Sequence, residues 1–405
     1  MTISPMARNI TLYPWVVFAQ GLVFWQAIWF LFFQDTLSAS EAILLYVIYD
    51  ISVTALEVPS GYMSDRLGRR ITLLSSGVCA LLGTALLAMG STFAAFAVAQ
   101  GLIGAATAFS SGTGSSLMFE SLRAEGREDE VEAQELRAWR FGFVASAVSA
   151  ATGGMMAQVV QTLPFLAGIV TAGVMLVLAS RLCEPPRGAA SHPPVAQQMR
   201  SLGTALRKPV LIWLFALSTI MYAFSHVIYV FGQPYIFEAL ATRGLEGDAP
   251  LISGFVSGSM MLISVLTSVI AWRLRQRFGL AATLLLAYGI QVGLITVLAL
   301  TNSIIAIAFL FLRMVPSSLS TPFVLARIQP ELSSDMRATY LSVQSFVGRI
   351  ALAGTLYVAS FGSTDVGQMP YAEIRAILVW YVAAGLVAFV CLALASRRVR
   401  LEREP

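Results

Sequence analysis

Residues 61–70 read GYMSDRLGRR. Asp65, Arg66, Arg69 and Arg70 crowd into this decapeptide, in a chain of 405 residues that is 57% hydrophobic and only 12% charged. Apolar runs flank it on both sides, each long enough for a bilayer, which takes about 20 residues of helix. The decapeptide therefore reads as a tight polar turn between two membrane spans. Its arginines place it on the cytoplasmic side, where short loops carry an excess of basic residues.

Working outward, the same alternation recurs along the whole sequence, and the mean hydropathy of +0.76 is beyond what a polar exterior permits. Spans are expected near 10–33, 42–63, 71–90, 93–118, 138–160, 163–182, 209–237, 251–272, 279–300, 303–326, 338–361 and 373–396. The expected class is an all-α membrane protein of twelve spans, with no long hydrophilic stretch left for a soluble domain. Ser38 and Glu41 have the spacing of a capping box that starts the second span. The run from Ile10 to Phe33 is too long for a signal-peptide core and is read as the first span.

Basic residues sort by side. One set of loops holds Arg8, Arg66–Arg70, Arg123–Arg140, Arg181–Lys208, Arg273–Arg277, Arg327, Arg337 and Arg397–Arg403, whereas the opposite set holds only Arg243 and Arg375. Both termini are therefore expected in the cytoplasm. Charge sorted in this way, despite a net +4, excludes a nucleic-acid partner in favour of the bilayer. Lys208 is the only lysine, and arginine-rich, alanine-rich usage points to a bacterial inner membrane. Cys79, Cys183 and Cys391 stand singly, without metal-ligand or disulfide spacing. No nucleophile elbow, His-Glu-x-x-His or Walker motif occurs, so neither an enzyme nor an ATP-driven pump is expected.

The Pro-, Gly- and Ser-rich segment 183–208 reads as a cytoplasmic linker, its end (195–208) as an amphipathic surface helix, and His192 within it as solvated. It separates residues 1–182 from 209–405, six spans each. The halves echo each other: Arg66-Leu67-Gly68 follows the second span and Arg277-Phe278-Gly279 the eighth, while Arg137-Ala138 opens the fifth and Arg337-Ala338 the eleventh. Internal repeats of this kind are a transporter architecture.

The turn at 61–70 resembles the signature loop of the major facilitator superfamily, a Gly, three residues, Asp-Arg, one residue and Gly-Arg-Arg, matched by Gly61, Asp65, Arg66, Gly68, Arg69 and Arg70. The resemblance covers essentially the whole chain. It implies two six-helix pseudo-repeats, a monomer that works by alternating access, a small-molecule substrate and no cofactor, with a coupling proton or ion as a further partner. Gly61 is expected to admit a neighbouring helix closely. Asp65 is expected to face the positive end of the eleventh helix near Met336–Ala338. Glu120 is the expected partner of Arg66 and Arg69, closing a cytoplasmic latch. The stretch Ser111–Glu130 also resembles one branch of the superfamily, with its Ser-Gly-Thr turn and Gly-Arg-Glu loop. The sequence departs from other members at Ala97, where proton-coupled relatives often carry arginine, and at Ser149–Gly154, which lacks the first glycine and the proline of drug antiporters.

Two arginines fall deep within spans at an expected cost of about 2.5–3.5 kcal/mol each. Arg313 lies roughly 15 Å from the outer side and Arg349 roughly 20 Å from the cytoplasm, at about 1.5 Å per residue. Arg313, Ser317 and Ser320 form one helical stripe, and Ser342, Ser345 and Arg349 another. Tyr222, His226, Tyr229 and Gln233 form a third, while Trp25, Gln26 and Trp29 offer aromatic and amide contacts on the first span. These are the candidate substrate residues, and an organic anion is the leading solute because guanidinium groups bind carboxylate or phosphate. Asp50 and Glu57, on one face of the second span, are the candidate coupling residues or interhelix ion-pair partners. Glu57, just before Pro59, is more simply read as packing. Pro316 and Pro322 are expected to kink the tenth span. An exporter of amphipathic compounds and an uncoupled facilitator are the alternatives.

Overall fold

The computed structural model describes residues 4–186, 203, 207–328, 331–332, 334–361, 368–399 and 401, and among these there is no strand. The order is α1 (Pro5–Gly21), a 3-10 turn (Phe24–Ala27), α2 (Trp29–Gln34), α3 (Ala39–Arg66), α4 (Arg69–Met89), α5 (Phe93–Ser110), α6 (Thr113–Ala124), α7 (Val131–Val159) and α8 (Leu163–Ser180). There follow α9 (Pro209–Ala241), α10 (Ala249–Leu300), α11 (Ile304–Leu310), α12 (Val315–Ile328), α13 (Ser334–Ser360) and α14 (Tyr371–Ser396). Ten helical stretches among the described residues are long and apolar enough to cross a membrane. The amphipathic helix expected over 195–208 lies almost wholly outside the described residues, as do His192 and the side chains of Met336–Ala338.

The chain forms two compact units, Met1–Ala190 with Pro250–Gly258 and Thr364–Gln368, and Ser191–Ala249 with Ser259–Ser363 and Met369–Pro405. In the first unit Val16, Leu73, Leu117, Met175 and Leu182 make a closed apolar core. In the second, three large buried side chains with a polar tip have that tip partnered. Trp213 donates to the Leu392 carbonyl (3.0 Å), Tyr340 to Leu211 (2.7 Å) and Tyr288 to Gly385 (3.2 Å). Satisfying each donor in this way is what low-dielectric burial demands.

The capping box at Ser38 forms: the Glu41 amide donates to Ser38 Oγ and the Ser38 amide to Glu41 Oε2. The first span, in contrast, is not one helix over 10–33. A Cβ at Gly21 would lie 2.9 Å from the Gly142 carbonyl oxygen, so α1 meets α7 backbone to backbone, and the helix stops there. At the break the Gly21 carbonyl accepts the Val23 N–H (3.0 Å) and also faces the Ser146 and Ser149 hydroxyls, while the Leu22 carbonyl faces that of Thr171. The fourth span divides as well, at Gly112, whose φ of 70° interrupts α5 and α6. The tenth span breaks over 311–314 rather than bending at Pro316. Pro316 sits in the first turn of α12, where a missing N–H costs nothing, so it restarts a helix; Pro322 lies inside α12.

The echo between the spans is matched by geometry. Gly68 has φ 119° and Gly279 φ 80°, each ending one helix and admitting the next, and α10 is thereby two helices meeting at Gly279. Four residues on, Thr72 donates to the Gly68 carbonyl (2.9 Å) and Thr283 to the Gly279 carbonyl (2.8 Å). Arg66 lies over Tyr62 and Arg277 over Phe278, at 5.2 and 5.4 Å from the ring centres.

Candidate functional site

At the base of the first unit, Arg69 is the hub of the charged turn. Its guanidinium bridges Asp65 (2.7 Å) and Glu120 (3.1 Å) and donates to Ser64 Oγ (2.8 Å). Only 17% of its side chain is exposed, so this network is worth more than an open surface pair. Glu120 is thus joined to Arg69, as expected, whereas Arg66 stacks over Tyr62. Among the described residues no heavy atom from outside its own helix lies within 4 Å of where a Gly61 Cβ would stand, so the expected close approach of a helix at Gly61 is not seen; at Gly68 the near neighbour is the Glu184 carboxylate, 2.7 Å from where a Cβ would stand.

Gly68 faces a residue that sequence reasoning missed. Glu184, just past α8, receives the Arg69 amide on Oε1 (2.8 Å) and the Arg70 amide on Oε2 (2.9 Å). A carboxylate thus caps the N-terminus of α4, satisfying orphan amides and meeting the positive end of the helix dipole. Arg70 donates in addition to the Ser180 carbonyl (2.8 Å). Asn9, fully buried, pairs with both sides of the Cys183 backbone: its amide donates to the carbonyl (2.8 Å) and its oxygen accepts from the N–H (2.8 Å). Segment 183–186 had read as the start of a linker. The signal available was one acidic residue placed directly after a span and beside prolines. In the Ser111–Glu130 stretch, Arg127 forks onto Glu130 through two 2.7 Å hydrogen bonds. Arg69→Ala is expected to reduce transport at least tenfold while leaving membrane insertion intact, checked by transport assay against expression level.

The second unit has its own charged corner. Glu331 receives Arg327 (2.6 Å) and Lys208 (2.9 Å), and Arg327 Nε donates to the Leu401 carbonyl (2.8 Å). The Arg327 hydrogen bond, then that of Lys208, holds the Glu331 carboxyl below its usual range. A depressed carboxylate stabilises the fold above its unfolded value, about 4.3, and loses that contribution as pH falls through the folded value. Wild-type protein is expected to lose stability on acidification below roughly pH 4.3, and Glu331→Gln to lose less over the same window. Melting curves across that range are the check.

Within the membrane-spanning part of the second unit, the three expected stripes converge. Arg313, in the break between α11 and α12, lies over the Tyr229 ring at 4.8 Å. Arg349, on α13, lies over the Tyr222 ring at 5.7 Å. His226 stands one turn from each tyrosine, its ring 4.1 Å from that of Tyr222 and its Nδ1 2.8 Å from the Tyr222 carbonyl. A Cβ at Gly348 would come within 3.2 Å of Tyr222, so the glycine lets the ring lie flat beside α13. Arg313 Nη1 also approaches Met260 Sδ (3.9 Å), and a guanidinium stacked on a ring is a geometry suited to planar oxyanions. Gln233, farther along α9, is buried at 7% exposure. Ser264 and Ser318 share a short hydrogen bond, and Ser320 donates to the Pro316 carbonyl (2.9 Å).

The residues expected on the first two spans fall into different environments. Trp25 stacks parallel to Phe165 at 6.2 Å. Gln26 donates to the Ser146 carbonyl (3.1 Å), tying the 3-10 turn to α7. Trp29 is 1% exposed and packed on Tyr46 and Phe33, so it is core. Asp50 is 1% exposed in mid-α3, with Thr54 donating to its carbonyl (2.8 Å). Glu57 is partly exposed, and Ser60 donates to its carbonyl (2.9 Å).

Comparison with known proteins agrees with this architecture. The family model described as Major Facilitator Superfamily matches residues 10–356. Among curated proteins no sequence match is found. Among solved structures, the nucleoside transporter NupG aligns with TM-score 0.76 and 11% identity, over 96% of this chain and 99% of that one. The peptide transporter POT in complex with sulfate aligns with TM-score 0.76 and 14% identity, over 99% and 96%. A D-xylose–proton symporter aligns with TM-score 0.71 and 14% identity, over 98% and 99%. At such identities the likeness is one of fold.

Proposed function

The chain belongs to the major facilitator superfamily, and on that premise we propose that this multi-pass membrane transporter moves a small organic anion by alternating access. Residues 1–182 and 209–405 are its two six-helix halves, 183–208 the linker, and both termini lie on the cytoplasmic face of a bacterial inner membrane. The observation that carries the anion reading is the pair of span-embedded arginines, each laid over a tyrosine of one α9 face that also presents His226. Charged residues within spans mark substrate pathways by default, and guanidinium groups are suited to recognising a carboxylate or phosphate. Gln233 is a further substrate contact in this reading. Asp65, Arg69 and Glu120 form the cytoplasmic latch that Gly61, Arg66, Gly68 and Arg70 shape.

The direct test is a thermal-shift screen of organic anions on detergent-purified protein, since a ligand that binds only the folded state raises its apparent stability by mass action. Carboxylates or phosphates should stabilise; stabilisation only by neutral or cationic amphipathic compounds, in broad competition, would replace the anion reading with that of an exporter. Asp50, the buried acid of α3, is assigned to coupling. Asp50→Asn is expected to flatten the pH dependence of transport, measured as initial rate against external pH; an unaltered profile would remove Asp50 from coupling and favour an uncoupled facilitator.

A further inference from the structure

A trough of about 830 Å³ runs between α13 and α14, wholly within the second unit. One face of each helix walls it: Ile350, Gly354 and Val358 stand at i, i+4 and i+8, and Glu373, Trp380 and Ala384 at i, i+7 and i+11. Arg349 belongs to another face of α13, that of the buried Ala353 and Leu356, so the trough is separate from the arginine–tyrosine site. Among the described residues, a Cβ at Gly354 would meet no heavy atom from outside its own helix within 4 Å, so the floor of the trough is open. Val358 and Trp380 on its rim are 68% and 78% exposed. Both helices are long and apolar enough to cross a membrane, so this rim meets lipid rather than water.

The polar groups of the wall narrow the occupant. Glu373, in the first turn of α14, is its one charged side chain, and among the described residues the carboxylate has no hydrogen bond or ion pair. Arg375, two residues on, is exposed on a different face of the helix. The Thr355 hydroxyl gives its proton to the Leu352 carbonyl (2.9 Å), and the Tyr381 hydroxyl beside it is buried and so closed to an occupant. The Trp380 indole carries the remaining donor, about 10 Å along α14 from Glu373 at 1.5 Å per residue. Tryptophan at such a depth marks the membrane boundary. From Glu373 to Ala384 the trough is roughly 16 Å long, which fits within one leaflet of about 20–22 Å with its headgroups. Its volume lies in the range of about 300–1,000 Å³ that binding sites occupy. The shape suits an acyl chain running down from a cationic head at Glu373.

We propose that the trough binds one bilayer phospholipid whose head carries a primary amine, the ammonium donating to Glu373 and one chain lying along α13 and α14. A quaternary ammonium head has no N–H to donate, so the site should prefer phosphatidylethanolamine to phosphatidylcholine by about threefold to tenfold. The test uses Trp380 as reporter, in the full-length protein reconstituted into vesicles of the two lipids mixed, with bromine on the chains of one or of the other. Bromine quenches a tryptophan that it touches, and comparison with Trp380→Phe isolates this one of the seven tryptophans. Brominated phosphatidylethanolamine should quench Trp380 more strongly than brominated phosphatidylcholine at equal fraction. Glu373→Gln, which keeps the shape and removes the charge, should make the two equal. Gly354→Phe, which fills the trough from its open floor, should do the same. Equal quenching in the wild type, or a preference that survives either substitution, would overturn the proposal. Displacement by dodecylamine in vesicles that show no such preference would overturn it in favour of a free cationic amphiphile. Protection of Trp380 from both brominated lipids, deepening with the protein-to-lipid ratio, would overturn it in favour of a second copy of this chain. No transported solute enters the measurement, so this site and the anion reading stand or fall separately.

Discussion

Replacing Arg313 by Gln is expected to weaken binding of the anionic substrate by about 30- to 700-fold, equivalent to ~2–4 kcal/mol. The side chain sits in the helix break over 311–314, its guanidinium held above the Tyr229 ring, so its rotamers are already restricted. A hydrogen-bonded ion pair formed there is desolvated and little screened by salt. Gln keeps the length and some donors but loses the charge and the fork. Lys restores charge without the stacked plane and should recover only part of the affinity. Substrate titrations of the three proteins are the check, and unchanged affinity in Arg313→Gln would end the assignment of this residue to an anion.

The second large effect is expected at Gly68. Its φ of 119° with ψ of 154° is a region that side-chain-bearing residues rarely enter, at a cost of about 1–3 kcal/mol. A Cβ there would also come within 2.7 Å of the Glu184 carboxylate. Gly68→Ala thus combines backbone strain with displacement of the helix cap, for a total of ~2–5 kcal/mol. Glu184→Gln isolates the second part: it keeps the shape, replaces one acceptor oxygen by a donor and removes the charge facing the dipole, and should cost ~0.5–2 kcal/mol. The measurement is the apparent melting temperature in detergent, which should fall in the order wild type, Glu184→Gln, Gly68→Ala. A Gly68→Ala protein as stable as wild type would show that this turn carries no strain.

The spans and the charged turn were legible because hydropathy and arginine placement are properties of long stretches of chain, and the capping box at Ser38 because it is local. The breaks at Gly21, Gly112 and 311–314 were not legible. Each depends on what another helix presents at that height, such as the Gly142 backbone opposite Gly21 or the hydroxyls that receive the freed carbonyls. The stripes on α9, α12 and α13 were readable as helical periodicity, but the pairing of Arg313 with Tyr229 and Arg349 with Tyr222 required the packing. Glu184 escaped because a cap supplied from 115 residues away leaves no spacing pattern. Trp29 shows the opposite limit: an aromatic on a span looks the same in sequence whether it lines a pathway or fills the core, and only the packing shows it buried.

The interruption of the first span also has a consequence for biosynthesis. At that break the Leu22 carbonyl accepts from Thr171, and the Gly21 carbonyl, which also takes the Val23 N–H, accepts from Ser146 and Ser149. A ribosome making this chain releases the interrupted helix well before those donors emerge. The nascent first helix must therefore remain beside water or the insertion machinery, or be continuous at first and unwind later, until the fifth and sixth spans arrive. Substitutions at Ser149 or Thr171 should then register as slow maturation in the membrane before they register in the rate of the finished protein.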